Sequence, residues 1–286
     1  MRAAGSWRSL WRSVCAVPHA EVDHRRLHFL RRGSGEPLLL IQGLSGNHLH
    51  WGEPFLTRLE PVFEAIAYDH RGIGHSDPAP GGFTIGDLAE DAAALLEALE
   101  LPSAHVMGVS MGGMVAQELA LRHPDRVRTL TLGCTYAGGE GSALTDPAII
   151  QRMTQLFLSG RMGEAMQEAY RINVSAQYAA DPVNAEPFKR IAAELPASLD
   201  VMLAQMQAVQ GHDTSLRLGE IRMPTLIVHG TEDQMLPVSN AHAIAARVPN
   251  ARLEILEGVG HLFWWERPEH SAELVAELAA GAAAPQ

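Results

Sequence analysis

The stretch HVMGVSMGGMVAQ (105–117) sets Ser110 in the pattern G-x-S-x-G, at the point where an apolar run gives way to an amphipathic one. A serine hydroxyl is a weak nucleophile at neutral pH unless a base takes its proton, and histidine suits that task because its pKa lies near the working pH. Among the 14 histidines, His261 stands apart, in EGVGHLFWWERPE directly after the last predicted strand. His24, His28, His123, His242 and His270 lie in segments that favour a surface or helix-face role. A catalytic histidine also needs a carboxylate to fix its tautomer and stabilise the imidazolium. VHGTEDQMLP offers Glu232 and Asp233, of which Asp233 is favoured. The competing readings are a plain Gly-Ser-Gly turn at 110, Glu232 as the partner or a solvated acidic turn at 232–233, and a loop histidine packed on Trp264 or Trp265.

These residues make a site only if the fold brings them to one edge of a sheet. Strands are predicted over 25–33, 37–43, 63–69, 103–109, 127–133, 224–230 and 251–258, of which 37–43 is apolar, short and ended by glycine and so reads as buried. Helices alternate with them over 84–101, 111–124, 238–249 and 268–280; the first has Thr84 at its N-cap and Leu88, Ala92, Leu95, Leu96 and Leu99 at helical spacing. That alternation predicts a parallel sheet with helices on both faces. Ser110 then sits on a sharp strand-to-helix turn, which needs small flanking residues and aims the Met111 amide, at a positive helix end, at any anion forming beside the serine. Asp233 and His261 follow the last two strands and reach the same carboxyl edge. The chain order Ser110, Asp233, His261 is the one this chemistry takes on such a sheet. The five-residue pattern alone arises by chance on the order of once in ten chains of this size, so its context carries the inference.

The rhythm breaks between 138 and 215, where helical patterns at 146–174 and 187–210 have no strand between them and Pro147, Pro182, Pro187 and Pro196 punctuate the stretch. The division expected is a leader over 1–20, a core over 21–137 and 216–286, and a helical insertion over 138–215. The leader starts basic like a signal peptide, but Arg12 interrupts what should be an apolar run, so it is read as a disordered or amphipathic segment. A cytoplasmic protein is therefore expected, with the tail after Leu278 frayed. The formal charge of −11, with Lys189 the only lysine, disfavours nucleic acid as a partner. No apolar run approaches the length of a membrane span. Cys15 and Cys134 match no metal or redox spacing and read as unpaired thiols.

Taken together, LLLIQGLSGNHLHW, YDHRGIGHSD, HVMGVSMGGMVAQELALRHPDRV, PTLIVHGTEDQMLP and GVGHLFWWERPE resemble the α/β-hydrolase superfamily from about residue 25 to 280, apart from the insertion. The resemblance, closest to its esterase and 3-oxoadipate enol-lactonase-like branch, implies a doubly wound, mostly parallel eight-stranded sheet. It makes the insertion a cap over the active site and the loop from Gly43 the source of a second oxyanion donor, the Leu44 amide. The family often has a histidine before that glycine; here it is Gln42. In related proteins the Asp and Arg of DHRGIGHSD brace neighbouring loops, so Asp69, His70, Arg71 and His75 are read as structural. His70 and His75 are not read as metal ligands, because no third ligand at suitable spacing accompanies them.

The function implied is hydrolysis of small or medium carboxylic esters or lactones through an acyl-enzyme on Ser110, with no cofactor and no metal. A serine at this position argues against the dehalogenase and epoxide hydrolase chemistries, which use aspartate. The amides of Met111 and Leu44 would each be worth about 3 kcal/mol in the transition state. Specificity would lie in the cap, where Met153, Phe157, Met162 and Met206, with Met166 and Met202, suggest an apolar acyl pocket. Arg152, Arg161 and Arg171 could instead meet a substrate carboxylate. Carbon–carbon bond, thioester or perhydrolysis chemistry on the same triad, and a ligand-binding receptor with little turnover, are the alternatives. The expected partner is a small molecule, and the expected state a monomer or homodimer.

Overall fold

Leu38, Leu39, Leu40 and Ile41 are all fully buried, so both faces of β3 (Glu36–Ile41) are covered. That is the signature of a parallel strand between two layers of helix. The structure, a computed structural model, describes residues 17–283. Within them β3 belongs to an eight-stranded sheet with β1 (His19–Val22), β2 (Arg25–Gly33), β4 (Phe63–Tyr68), β5 (Ala104–Val109), β6 (Val127–Gly133), β7 (Thr225–Gly230) and β8 (Arg252–Leu256). Their spatial order is β1-β2-β4-β3-β5-β6-β7-β8; the β1–β2 and β2–β4 pairings are antiparallel and the other five are parallel.

Alternate strand residues feed two cores. Leu39, Ile41, Ile66, Val106 and Ile227 pack with α2 (Ile85–Ala98), α3 (Met111–Arg122) and α9 (Ser239–Ala245) on one face. Leu38, Leu40, Met107, Val109 and Val228 pack with α1 (Glu53–Leu59), α10 (Phe263–Glu266) and α11 (Pro268–Ala283) on the other. Helix α2 starts where Thr84 accepts from Asp87 N–H while the Asp87 carboxylate accepts from Thr84 N–H, a reciprocal cap that satisfies two orphan donors.

Between β6 and β7 the described chain forms helices only: α4 (Pro147–Leu158), α5 (Met162–Asn173), α6 (Ala176–Ala179), α7 (Ala185–Glu194) and α8 (Leu199–Gln210). The two ends of this insertion touch. Thr214 N–H donates to Ala137 O at 2.7 Å, and the Tyr136 hydroxyl donates to Val209 O at 2.9 Å. No helix among the described residues is long and apolar enough to cross a membrane.

Three sequence expectations change. His19 and Ala20, assigned to the leader, pair with His28 and Leu27 in β1; residues 1–16 lie outside the described part. The strand predicted over 37–43 ends at Ile41, which releases Gln42 and Gly43 into a loop. Helix α11 runs on to Ala283 rather than fraying after Leu278, since alanine is the best helix former and Ala279 is buried against the sheet.

The tightest joint lies between β5 and α3. A Cβ on Gly108 would stand 2.1 Å from Gly112 O, and one on Gly112 would stand 2.0 Å from Ile41 O. Gly112→Ala should therefore lower stability by about 2 kcal/mol or more in urea unfolding. Gly163→Ala, in α5 with open space around it, should leave stability equal or higher; equal losses in the two variants would contradict the close approach.

Candidate active site

Ser110 is the last residue before α3 and has φ 55° and ψ −123°, a conformation non-glycine residues rarely adopt. The turn is pinned from three sides. Ser110 N–H donates to Gly133 O at 2.9 Å, and Ser110 O accepts from Gly113 N–H at 2.9 Å and from the Thr135 hydroxyl at 2.7 Å. The side-chain hydroxyl has no hydrogen-bond partner among the described residues and lies partly open to solvent. Met111 opens the 12-residue helix α3, so its N–H has no acceptor within the helix.

His261 and Asp233 meet in the loops after β8 and β7. Asp233 Oδ2 accepts from His261 Nδ1 at 2.7 Å, and Oδ1 accepts from the Met235 and Leu236 amides at 2.8 and 2.9 Å. His229, at the end of β7, brings its Nε2 within 3.0 Å of Asp233 Oδ2 and 2.8 Å of Leu236 O. Burial alone pushes the Asp233 carboxyl up; the His261 charge and the hydrogen bonds from His229 and His261 outweigh it and hold the group well below the usual carboxylate range. Glu232 is turned away, and its carboxylate accepts from Ala176 N–H at 3.1 Å in the helical insertion. Ligand atoms of Cys134, Asp233 and His261 lie within 4.8 Å of one another. Burial, and after it the Asp233 charge, pushes the Cys134 thiol well above its ordinary value, so the thiolate a metal needs is disfavoured there.

The loop after β3 lies against the serine, since a Cβ on Gly43 would stand 3.0 Å from Ser110 Cβ. Gly43 N–H donates to Gln42 Oε1 at 3.0 Å, Ser45 N–H to Gln205 Oε1 at 2.8 Å, and Gly46 N–H to Gly43 O at 3.1 Å. Leu44 is left with the one amide of this run that has no acceptor among the described residues. Gln42 thus consumes the Gly43 amide and leaves its neighbour free.

Three side chains that the sequence did not single out hold these loops. Gln205, fully buried on α8, fixes Ser45. Glu266 accepts from Ser175 N–H and Gly260 N–H, each at 2.9 Å, and from the Ser175 hydroxyl, so one buried carboxylate ties the insertion to the residue before His261. His229 buttresses Asp233. Among these, only Glu266 had a visible signal, a charge inside the apolar FWWERPE. The indoles of Trp264 and Trp265 both donate to His50 O, at 3.0 and 2.7 Å, joining the histidine loop to the end of the Gly43 loop.

Of the methionines read as substrate contacts, Met153 is half-buried, while Met162 and Met206 are 53% and 44% exposed. The side chain of Phe157 lies outside the described residues. Arg152 and Arg161 are ion-paired with Glu168 and Glu164. With Arg171 they line a groove of about 730 Å³ formed by residues of α4, α5 and the turn between them, which none of Ser110, Asp233 and His261 lines.

A family model described as alpha/beta hydrolase fold matches residues 36–268. The chain belongs to this family. Among curated relatives of this α/β hydrolase is a protein of Caulobacter vibrioides, provisionally named carbamate hydrolase RutD, 33% identical over 272 residues that cover 91% of this chain and 96% of the relative. Among solved structures, Est816, described as an N-acyl homoserine lactone degrading enzyme, is 29% identical with a TM-score of 0.75, over 91% of this chain and 99% of that one. The enol-lactonase of Burkholderia xenovorans LB400 has a TM-score of 0.77 at 24% identity, over 92% of this α/β hydrolase and 100% of that chain, a likeness of fold.

Two predictions follow from the bonding. A carboxyl with a lowered folded pKa contributes stability that is full above its unfolded value of about 3.9 and is lost as pH falls through the folded value. Thermal melts of the native hydrolase should therefore lose Tm below about pH 4 more steeply than those of Asp233→Asn; equal slopes would contradict the lowered pKa. Glu266→Ala leaves three donors unpaired and should cost about 2–5 kcal/mol by denaturant unfolding, against under about 0.5 kcal/mol for the exposed Glu186→Ala.

Proposed function

We propose that this α/β hydrolase cleaves carboxylic esters, lactones included, through an acyl-enzyme on Ser110. The observation that carries the reading is the 2.7 Å bond from His261 Nδ1 to Asp233, which fixes the tautomer with the lone pair on Nε2 as the available base. Ser110 Oγ attacks the carbonyl carbon while its proton passes to His261 Nε2. The negative charge moves to the former carbonyl oxygen, where the Met111 and Leu44 amides receive it; that neither has another acceptor among the described residues supports this role. Collapse breaks the bond to the leaving oxygen, which takes the proton from His261. A water molecule then repeats the sequence on the acyl-serine, giving its proton to His261 and releasing the acid and free Ser110. Asp233 stays ionised throughout and stabilises the imidazolium between the two transfers.

The helical insertion acts as the cap that shapes the acyl pocket, a role supported by its bonds to Ser45, Glu266 and Leu262 through Gln205, Ser175 and Asn173. A second reading, hydrolysis of a carbamate, is favoured by the 33% identical relative of that name. The same machinery serves it, with His261 protonating a leaving nitrogen in place of an oxygen.

A chromogenic ester series of increasing acyl length, with a lactone and a carbamate followed by acid and ammonia release, tests both. The parent should turn over at least one carbonyl class, with Ser110→Ala and His261→Ala each lowering kcat by about 10⁴ or more. Full activity in Ser110→Ala, or no turnover of any carbonyl substrate by the parent, would overturn the proposal.

A further inference from the structure

Helix α8 buries Val201, Gln205 and Ala208, while its Leu199, Leu203 and Met206 face solvent. A glutamine therefore sits in the middle of the stripe that seats on the core, with apolar side chains left outside. Burying an amide costs free energy unless its polar atoms are hydrogen-bonded. Gln205 is fully buried, and its Nε2 has no partner among the described residues. Stability alone would favour an apolar side chain at this position. What the glutamine supplies is Oε1, which accepts from Ser45 N–H at 2.8 Å.

That bond falls on the strained point of the loop beside Ser110. Gly46 N–H donates to Gly43 O at 3.1 Å, which closes a turn over 43–46. Leu44 has a negative φ and Ser45 a φ of 62°, so the turn is type II, the form that favours glycine at its third position. Serine there holds a conformation that residues with a side chain rarely adopt. Rotating the Leu44–Ser45 peptide would give the type I form, which most residues accept, and would turn the Ser45 N–H away from Gln205. The Ser45 hydroxyl does not oppose that rotation, since it has no partner among the described residues. Leu44, the second residue of the turn, carries the amide assigned to the oxyanion, and Gly43 before it lies against Ser110, where a Cβ would stand 3.0 Å from Ser110 Cβ.

We propose that Gln205 is a positioning residue for the oxyanion site: α8, when seated, fixes the Ser45 N–H, holds the type II turn and so places the Leu44 amide beside Ser110. This role rests on the acyl-enzyme chemistry proposed for Ser110. It makes the helical insertion a contributor to transition-state stabilisation as well as a wall of the acyl pocket, because the donor is in place only while α8 is. Helix α8 is itself held at its far end, where Val209 O accepts from the Tyr136 hydroxyl at 2.9 Å, and at its start, where Val201 packs over Gly72. Oxyanion donors act at about 2.7–3.1 Å from the developing charge, so a small displacement of Leu44 falls on kcat more than on KM.

The test is steady-state hydrolysis of a carbonyl substrate that the native protein turns over. Gln205→Met keeps the length of the side chain and removes the acceptor; it should retain a cooperative melt and lower kcat at least about 10-fold, with KM changed less than about threefold. Ser45→Val, β-branched and so averse to a positive φ, should lower kcat likewise with Gln205 intact. Glycine favours the type II turn unaided, so in a Ser45→Gly background Gln205→Met should lower kcat less than about threefold, a rescue that lost packing would not show. Native kcat in either folded single variant, or an equal loss from Gln205→Met in both backgrounds, would overturn the proposal while Ser110→Ala stays inactive. An active Ser110→Ala would instead remove the acyl-enzyme reading, and this role with it.

Discussion

The architecture depends on the backbone contact at the end of β5. Ser110 is forced to a positive φ because Gly112 sits against Ile41 O and Gly108 against Gly112 O, distances that no side chain allows. Strain of this kind costs about 1–3 kcal/mol and persists only where surrounding structure over-determines it. Here the surroundings are the bonds of Ser110 to Gly133, Gly113 and Thr135 and the buried faces of β3, β5 and β6. The same approach that strains the serine lifts its hydroxyl clear of the sheet and points the first amide of α3 at the space beside it.

Everything else near that serine comes from loops, and each loop is held by a buried polar group. Asp233 is fixed by two amides and two histidines, the Gly43 loop by Gln42 and Gln205, and the His261 loop by Glu266 and the paired tryptophans. The ties made by Gln205 to Ser45 and by Ser175 to Glu266 cross from the helical insertion to the core, so the insertion is held against the loops around Ser110 and His261. Loops positioned by a rigid scaffold are where specificity can vary without disturbing the fold.

The fold was legible because local signals agreed: unbroken apolar runs for buried parallel strands, helical spacing between them, and Thr84 at a cap. The candidate triad was legible because Ser110, Asp233 and His261 each follow a strand and so reach one edge. What escaped were relations between distant segments. Gln205 meets Ser45 and Glu266 meets Ser175 across gaps that no periodicity links. Strand β1 escaped for a different reason, being short, half-polar and at the sheet's edge, where one covered face leaves only weak patterning. The methionines read as an acyl pocket illustrate the converse: helical spacing names a stripe but not what it faces, and Met162 and Met206 face solvent.

The central claim is that the Asp233–His261 pair makes the Ser110 hydroxyl a nucleophile. A serine-directed fluorophosphonate, incubated with the native protein and mapped by peptide mass spectrometry, reads that property without knowledge of the substrate. One stoichiometric adduct on Ser110 is expected, formed at a rate that falls sharply in His261→Ala. An unmodified Ser110, or labelling at an undiminished rate without His261, would contradict it.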